Sequence, residues 1–406
     1  MESFESQSLQ TSSSSQENSS SSILKNVSEK PVEEIVYGVY DNSRANVLRQ
    51  LNDFLVDHSK VSLKEKSYVF YLLSVMVDSG VPLIQSLRIV ARRTTSERMR
   101  RVLFTVAFDV EKGKNFADSL ARFPDVFEEF EIGVIRSGEI SGHLDRMLSR
   151  LAIEVEDAYD LQSQLWSAAF YPITVFAVLL VVGFGVMTFL VPRILGFSQD
   201  LIGAGHALPP ATQALISTQH FITSYWWLLF LLVFGGYGLW NFYVKTGTGK
   251  LQWDLFVLKL PVLGMLRRKI YVLRIIRLLA ILLESGLPIL VTLKMVAKSI
   301  PNEVYKLKLW DAMNQVQQGG KLHTAFQDNS FLFPEEVTSM LAIGEQSATI
   351  AQSAGRAAMQ YEKEIKHTLK KLTTIFEPAL IIIAGVFVAV MALAVLMPIF
   401  DLTSQI

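Results

Sequence analysis

The chain has 406 residues and contains no cysteine. That absence excludes a disulfide framework, catalysis by a thiolate and zinc sites with cysteine ligands. A surplus of charge of either sign is absent too, because 38 basic and 38 acidic side chains give a formal net charge of zero. Proteins that bind nucleic acid through bulk electrostatics carry a basic surplus, so we expect no nucleic acid among the partners.

Charge is scarce as well as balanced. Only 19% of the residues are charged, whereas 50% are hydrophobic and the mean hydropathy is +0.32. Three stretches contain no Asp, Glu, Lys or Arg, and their apolar cores are residues 171–192, 225–244 and 378–400. At a rise of about 1.5 Å per residue, each core is long enough to cross the ~30 Å of hydrocarbon in a lipid bilayer. The sequence therefore predicts three transmembrane helices.

The distribution of basic residues predicts how the chain is oriented. Residues 193–224 contain one basic residue, whereas residues 245–277 contain eight. Because basic loops stay in the cytoplasm, we expect a cytoplasmic N-terminus, a periplasmic loop at 193–224 and a periplasmic C-terminus at 401–406. Residues 1–60 are predicted to be a serine-rich disordered tail and a short N-terminal segment, and no apolar run suggests a cleavable signal peptide.

Two halves of the chain resemble each other at a constant offset of 206 residues. Residues 72–92 read LLSVMVDSGVPLIQSLRIVAR, and residues 278–298 read LLAILLESGLPILVTLKMVAK. The same offset relates four further positions, namely Gly138-Glu139 to Gly344-Glu345, Pro172 to Pro378, and Pro192 to Pro398. A register held without gaps indicates an internal duplication. We expect two cytoplasmic helical domains, at 61–170 and 268–377, with a basic cytoplasmic linker at 245–267.

Within each copy the apolar residues follow the spacing of helices. Gly80 and Gly286 are positioned to end one helix, and Pro82 and Pro288 to begin the next. Each proline pair, such as Pro172 and Pro192, is expected to open and close a membrane span. The predicted fold is all-α, with two duplicated cytoplasmic helical bundles of about six helices each, three transmembrane helices and no strands.

Two features remain open to a structural or a functional interpretation. In each Gly-Glu pair, glycine would end a helix. The carboxylate of Glu139 or Glu345 would then stabilise the positive, N-terminal end of the next helix. Alternatively, Gly138, Glu139, Gly344 and Glu345 contact a partner protein. The basic run RRTTSERMRR at 92–101 is either a solvated helix face or a docking site for an acidic partner or anionic lipid. Its candidate contact residues are Arg92, Arg93, Arg100 and Arg101.

No catalytic, cofactor or metal site is predicted. The segment KTGTGK at 245–250 lacks the first glycine and the final Ser or Thr of a phosphate loop, so we interpret it as a flexible basic turn. The acidic cluster Glu154, Glu156, Asp157 and Asp160 is a weak candidate for a cation site, and a solvated face is the alternative. The predicted spans lack ionisable residues, which weakens the alternative of a membrane transporter or channel component.

The arrangement of motifs resembles the F-protein family of type II secretion systems, which includes inner-membrane platform proteins of type IV pilus assembly. The resemblance covers residues 61–400 and is carried by SG(V/L)P, then GE, then a proline at each end of a span, with an additional span between the repeats. The second copy departs from the pattern. In GEQSATIA at 344–351, Ala348 replaces the expected glycine and Ala351 the usual acidic residue.

The resemblance implies a non-catalytic platform protein in the bacterial inner membrane that forms a homo-oligomer. It implies partners of three kinds: a cytoplasmic hexameric secretion or assembly ATPase, pilins or pseudopilins, and other inner-membrane assembly proteins. The platform would couple work done by the ATPase to filament assembly and protein secretion. A secretion pseudopilus, a type IV pilus and a DNA-uptake pilus share this platform, and the sequence does not distinguish between them.

Overall fold

The computed structural model describes Tyr37 and residues 55–57, 59–190, 192–193 and 240–404, together with scattered positions between 217 and 238. These residues form helices and the turns between them, and no strand occurs among them. The all-helical prediction is therefore confirmed. The serine-rich tail and most of the predicted periplasmic loop lie outside the described residues.

The first copy contains six helices in the described part of the chain. They are α1 (Leu63–Asp78), α2 (Leu83–Arg93), α3 (Glu97–Glu111), α4 (Phe116–Leu120), α5 (Glu129–Ser141) and α6 (Leu144–Gly185), which continues into a π-helical turn at Val186–Leu190. Serine caps fix two of the starts, because Ser62 Oγ accepts a bond from the Glu65 amide and Ser96 Oγ from the Met99 amide, both at 3.2 Å.

The second copy repeats this order after one additional helix. The helices are α7 (Gly247–Lys259), α8 (Leu263–Glu284), α9 (Ile289–Ser299), α10 (Glu303–Gln317), α11 (Leu322–Gln327), α12 (Glu335–Gln346) and α13 (Ile350–Ser404). The helices α9 and α10 begin and end 206 residues after α2 and α3, as the starts at Leu83 and Ile289 illustrate. The duplication seen in the sequence is thus a duplication of the fold.

The basic segment 245–267, expected as a linker, is largely helical. It contains α7, whose first turn is capped by Thr246, since Thr246 Oγ1 accepts a bond from the Gly249 amide at 3.3 Å. The helix is anchored to α10 by an ion pair from Lys250 to Glu303 at 2.8 Å. The interpretation of KTGTGK as a flexible turn was wrong, because a side-chain cap and a tertiary ion pair turn these residues into a helix start.

Each copy has its own set of buried aromatic side chains. In the first copy α1 packs along α6, and Phe70, Phe116 and Phe127 are fully buried in the bundle. In the second copy α8 packs along α13, and Phe326 stacks on Phe333 with ring centroids 4.2 Å apart. The two sets belong to one contiguous apolar cluster, so the copies form a joint core.

Two helices are long and apolar enough to cross a membrane, Leu144–Leu190 and Ile350–Leu393. They include most of the first predicted span, at 171–192, and most of the third, at 378–400. The second predicted span, at 225–244, lies partly outside the described residues, and its described positions at 234–238 and 240–244 are helical. The first and third predicted spans therefore have a matching helix, and the second span, at 225–244, stays a prediction.

The prolines do not mark the ends of these helices. Pro172 lies inside α6, and both Pro378 and Pro398 lie inside α13, which continues to Ser404. Pro192 is helical and follows the π-helical turn after one residue that is not described. The expectation that each proline pair opens and closes a membrane span stays a prediction, because a helix can continue from the cytoplasm into the bilayer without a break. A membrane helix tolerates a proline where neighbouring groups or a local adjustment of the helix satisfy the carbonyl that loses its hydrogen bond.

Candidate functional site

The two SG(V/L)P motifs form matching turns. Gly80 and Gly286 have φ angles of 79° and 82°, in the left-handed region that favours glycine. The amide after each glycine bonds back across the helix end, from Val81 to Met76 O at 2.9 Å and from Leu287 to Leu282 O at 3.2 Å. Pro82 and Pro288 directly precede α2 and α9. In the structure the two glycines therefore lie at helix ends and the two prolines at helix starts, as the sequence predicts.

The first Gly-Glu pair stabilises a different helix from the one expected. Glu139 accepts hydrogen bonds from the amides of Phe116 at 2.7 Å and Ala117 at 3.1 Å, which are the first two residues of α4. Its carboxylate thus satisfies amides that have no partner inside that short helix. Gly138 is buried within α5, where an added Cβ would lie 2.7 Å from Met147 Cγ of α6.

The second pair repeats this geometry and adds a histidine. Glu345 accepts bonds from the amides of Leu322 at 2.9 Å and His323 at 3.3 Å, and it also contacts His323 Nδ1. Burial acts to raise the pKa of Glu345, but these hydrogen bonds outweigh it and hold the pKa below its usual value. At Gly344 an added Cβ would lie 2.7 Å from Ser353 Cβ of α13.

These contacts correct the helix-end interpretation. Gly138 and Gly344 lie inside α5 and α12, and they are required for close approach of the next helix. The glutamates cap the short helix that precedes in the chain, rather than the helix that follows. Glu139 and Glu345 are partly exposed, and a contact with a partner protein at either position stays a prediction.

The basic run at 92–101 is not one helix face. The helix α2 ends at Arg93 and α3 begins at Glu97. Arg92 and Arg93 are exposed in the last turn of α2, where their charge favours the helix end. Arg100 pairs with Glu97 at 2.8 Å, and Arg101 is buried and pairs with the same carboxylate at 3.2 Å. Burial of Arg101 contradicts its interpretation as part of a solvated face.

The two copies meet through different surfaces. Helix α9 of the second copy lies on α5 of the first, where a Cβ at Gly133 would be 2.6 Å from the sulfur of Met295. Ion pairs join Arg150 to Glu284 at 2.6 Å and Glu129 to Lys298 at 2.8 Å. Beside them, Ser137 Oγ donates to the Ser285 carbonyl in the second SG(V/L)P turn.

A buried arginine joins the copies where their long helices converge. Arg277 of α8 contacts Glu154 at 3.5 Å and Asp157 at 3.6 Å on α6, and Glu362 at 2.6 Å on α13. Burial raises the pKa of Glu154 to about 7, although Arg277 acts in the opposite direction. Further along both helices, toward their C-terminal ends, an added Cβ at Gly183 of α6 would be 2.7 Å from Phe387 of α13. The helices α6 and α13 meet in the same order at both levels, so they run parallel.

The acidic cluster at 154–160, a weak candidate for a cation site, is divided by this arrangement, because Glu154 and Asp157 face Arg277. In the part of the chain that the structure describes, no group of three or more His, Asp or Glu side chains is placed to hold a metal ion. A cavity of about 220 Å³ lies next to Arg277 between the copies, and its walls are mainly apolar.

One polar site was missed by the sequence reasoning. Lys66 and Glu131 form a buried ion pair at 3.0 Å in the first copy, and burial raises the pKa of Glu131 to about 6 against the effect of Lys66. The positions 206 residues later hold Val272 and Val337, which are also buried. The joint replacement of two charges by two valines between aligned copies was a signal that these side chains touch.

Comparison with known proteins agrees with the motifs. The family model described as type II secretion system (T2SS), protein F, matches residues 69–192 and again residues 275–398. The chain is 33% identical over 340 residues to the type IV pilus assembly protein PilC of Thermus thermophilus, covering 84% of this chain and 83% of the relative. It is 30% identical over 359 residues to the type II secretion system protein F of Aeromonas hydrophila, covering 88% and 91%.

A further relative is the type II secretion system protein F of Vibrio cholerae, which is 32% identical over 353 residues, covering 85% of this chain and 84% of the relative. The family match includes both copies of the repeat and more than half of the chain. The resemblance seen in the sequence is therefore confirmed, and the chain belongs to the type II secretion system protein F family.

Proposed function

We propose that the chain is an inner-membrane platform of a type II secretion or type IV pilus assembly machine, where it couples a cytoplasmic hexameric ATPase to the assembly of pilins or pseudopilins. Family membership and the names of the relatives support this role. The proposal includes a bacterial inner-membrane location, a cytoplasmic N-terminus, a periplasmic C-terminus and self-association into a homo-oligomer.

The observation that carries the proposal is the continuity of α6 and α13. Each helix begins inside a folded bundle and extends without a break into a charge-free apolar stretch, over 42 residues in α6 and 55 in α13. Leu148, Leu151 and Val155 of α6 are buried in the first bundle, and Ser67 Oγ on α1 donates to the Ala152 carbonyl at 3.2 Å. A force applied to the bundle is thereby delivered to the membrane segment through hydrogen-bonded backbone.

The proposed organisation assigns both bundles to the cytoplasm. Domain boundaries are those expected from the sequence, with bundles at 61–170 and 268–377 and the loop at 193–224 in the periplasm. The exposed Arg93 at the end of α2 provides a basic contact point for an acidic surface of a partner. The role is non-catalytic, and the ATPase supplies the chemical energy.

Co-purification from membranes tests the coupling. The full chain is expressed with the hexameric ATPase of its own machine, and the amount of ATPase retained is compared between wild type, Arg93→Glu and the matched variant Lys112→Glu. Lys112 is exposed directly after α3 in the same bundle. We expect wild type and Lys112→Glu to retain the ATPase and Arg93→Glu to retain several-fold less.

Two results would contradict the proposal. Failure of wild type to retain the ATPase, in both detergent and nanodiscs, would remove the coupling. Hydrolysis of ATP by the purified chain alone would remove the non-catalytic role. The orientation is tested separately with a reporter fused within residues 285–370, which is expected to read as cytoplasmic.

A further inference from the structure

The contact between the two copies joins unlike surfaces. The second copy contributes what we call the front face, formed by Glu284, Met295 and Lys298 at the corner of α8 and α9. The first copy contributes the back face, formed by Glu129, Gly133 and Arg150 on α5 and α6. A contact between unlike faces of similar units is heterologous, and it leaves one face of each kind unused at its two ends.

The corresponding faces at the two ends are exposed. The front face of the first copy consists of Asp78, Ile89 and Arg92, which are the positions 206 residues before Glu284, Met295 and Lys298. The back face of the second copy consists of Glu335, Ser339 and Arg356, which are the positions 206 residues after Glu129, Gly133 and Arg150.

The chemistry of the contact is preserved between these faces. The ion pair of Arg150 with Glu284 corresponds to Arg356 with Asp78, and neither of the latter two forms an ion pair in the part of the chain that the structure describes. The ion pair of Glu129 with Lys298 corresponds to Glu335 with Arg92, so its signs are retained as well. Unlike charges placed opposite each other favour this pairing over others.

The centre of the contact changes at both positions together. Met295 fills the space beside Gly133. In the corresponding pair, Ser339 is larger than glycine and Ile89 has a shorter side chain than methionine. Ile89 is 40% exposed, and Tyr71 on the adjacent helix is 55% exposed. The counterpart of Tyr71 is Arg277, which is buried and pairs with Glu154 of the first copy.

We infer that a second copy of this chain docks here, with the front face of the first copy in one chain bound to the back face of the second copy in the other. Because α6 and α13 run parallel, repeating the contact between chains keeps all spans oriented the same way in one membrane. Two chains that exchange the contact in both directions form a closed arrangement of four copies. The inference rests on the self-association included in the proposed function.

The absence of cysteine makes thiol cross-linking a clean test. Full-length Ile89→Cys and Ser339→Cys chains, carrying different tags, are co-expressed in the membrane and treated with a short bismaleimide. We expect a cross-linked dimer that contains both tags. Each single variant expressed alone is the matched control, and it is expected to give at least tenfold less dimer, because a heterologous contact never places two identical positions opposite each other.

Charge reversal tests the ion pair within the same assay. We expect Asp78→Arg or Arg356→Asp, introduced into both chains, to reduce the cross-linked dimer several-fold, and the combination of both reversals to restore it. Strong cross-linking of either single-cysteine variant would overturn the inference in favour of a symmetric contact. Cross-linking of the Ile89→Cys chain to a different assembly protein, with no dimer, would also overturn it.

Native mass spectrometry of the wild-type chain in nanodiscs separates the two levels of failure. A dimer or larger oligomer without the cross-link between positions 89 and 339 would overturn the proposed faces and leave self-association intact. A strict monomer in the bilayer would overturn the proposed self-association, and the docking surface with it.

Discussion

Lys66 and Glu131 form a buried ion pair at 3.0 Å in the first copy, and the second copy places Val272 and Val337 at the same two positions. The two copies thus fill the same buried site in two ways, with an ion pair in the first copy and with two apolar side chains in the second. The second copy also has Pro334 where the first has Glu128, whose amide donates to Glu131 at 2.7 Å. Proline has no amide hydrogen to satisfy, so the apolar solution leaves no donor unpaired.

Replacing both charges together is expected to be tolerated. Glu131→Val alone leaves Lys66 buried without a partner and should lower the free energy of unfolding by about 3–5 kcal/mol. Lys66→Val combined with Glu131→Val should recover most of this loss, and it should fall short of wild type because the Glu128 amide loses its acceptor. Thermal unfolding of the full chain in detergent checks this. A double variant as unstable as Glu131→Val would show that the valine pair works only in its own surroundings.

Ala348 occupies a conformation that suits glycine. Its φ angle is 55°, and its counterpart Gly142 has a φ angle of 72°. The left-handed conformation costs an alanine about 1–2 kcal/mol, and part of this is offset by the greater freedom of glycine in the unfolded chain. Ala348→Gly should therefore stabilise the protein by about 0.5–1 kcal/mol.

The matched variant for that change is Ala351→Gly, which lies in the first turn of α13. It should destabilise the protein, because glycine inside a helix is less favourable than alanine. Equal effects of the two substitutions in thermal unfolding would contradict a role of the backbone conformation at position 348.

Glu345 should make stability sensitive to acid. Burial acts to raise its pKa, but hydrogen bonds from His323 and the backbone lower it below the ordinary value of 4.5. The stabilisation is present above pH 4.5 and is lost as the pH falls through the pKa of the folded state. The difference in melting temperature between wild type and Glu345→Gln should therefore shrink below pH 4.5. A difference that is constant from about pH 3 to 7 would rule out this linkage.

Glu154 should act in the opposite sense. Burial raises its pKa to about 7 despite Arg277, Arg274 and Arg150, while Asp157 adds to the increase. The folded state then binds more protons than the unfolded state between pH 4.5 and 7, so stability falls as the pH rises through that range. Glu154→Gln should weaken this dependence and stabilise the contact between copies at about pH 8. An unchanged pH profile of thermal unfolding would contradict the assignment.

Glu139 allows the structural and partner interpretations to be distinguished. Glu139→Arg removes the cap of α4, and losing a cap destabilises a helix by about 0.5–2 kcal/mol. We expect lower membrane levels of this variant together with reduced assembly of the filament. Immunoblotting of membranes beside a secretion or piliation assay measures both. Normal membrane levels with assembly abolished would instead favour a direct contact with a partner.

The duplication, the helical class and the SG(V/L)P turns were all readable from the sequence, because a constant offset and helical spacing are properties of the chain itself. The partners of Glu139 were not, since they lie 23 and 22 residues earlier on another helix and depend on tertiary packing. The continuation of α6 past Pro172 was not readable either, because whether a proline ends a helix or lies inside one depends on the packing around it.

The 55-residue length of α13 has a geometric consequence. An α-helix turns by about 100° per residue, so the bundle at one end and the apolar stretch at the other have a fixed angular relation. Inserting two residues between 371 and 377 would turn the second bundle by about 200° about the helix axis, whereas four residues would leave it only about 40° from its starting angle. Tolerance to insertions in this segment should therefore follow the helical repeat and not the length added.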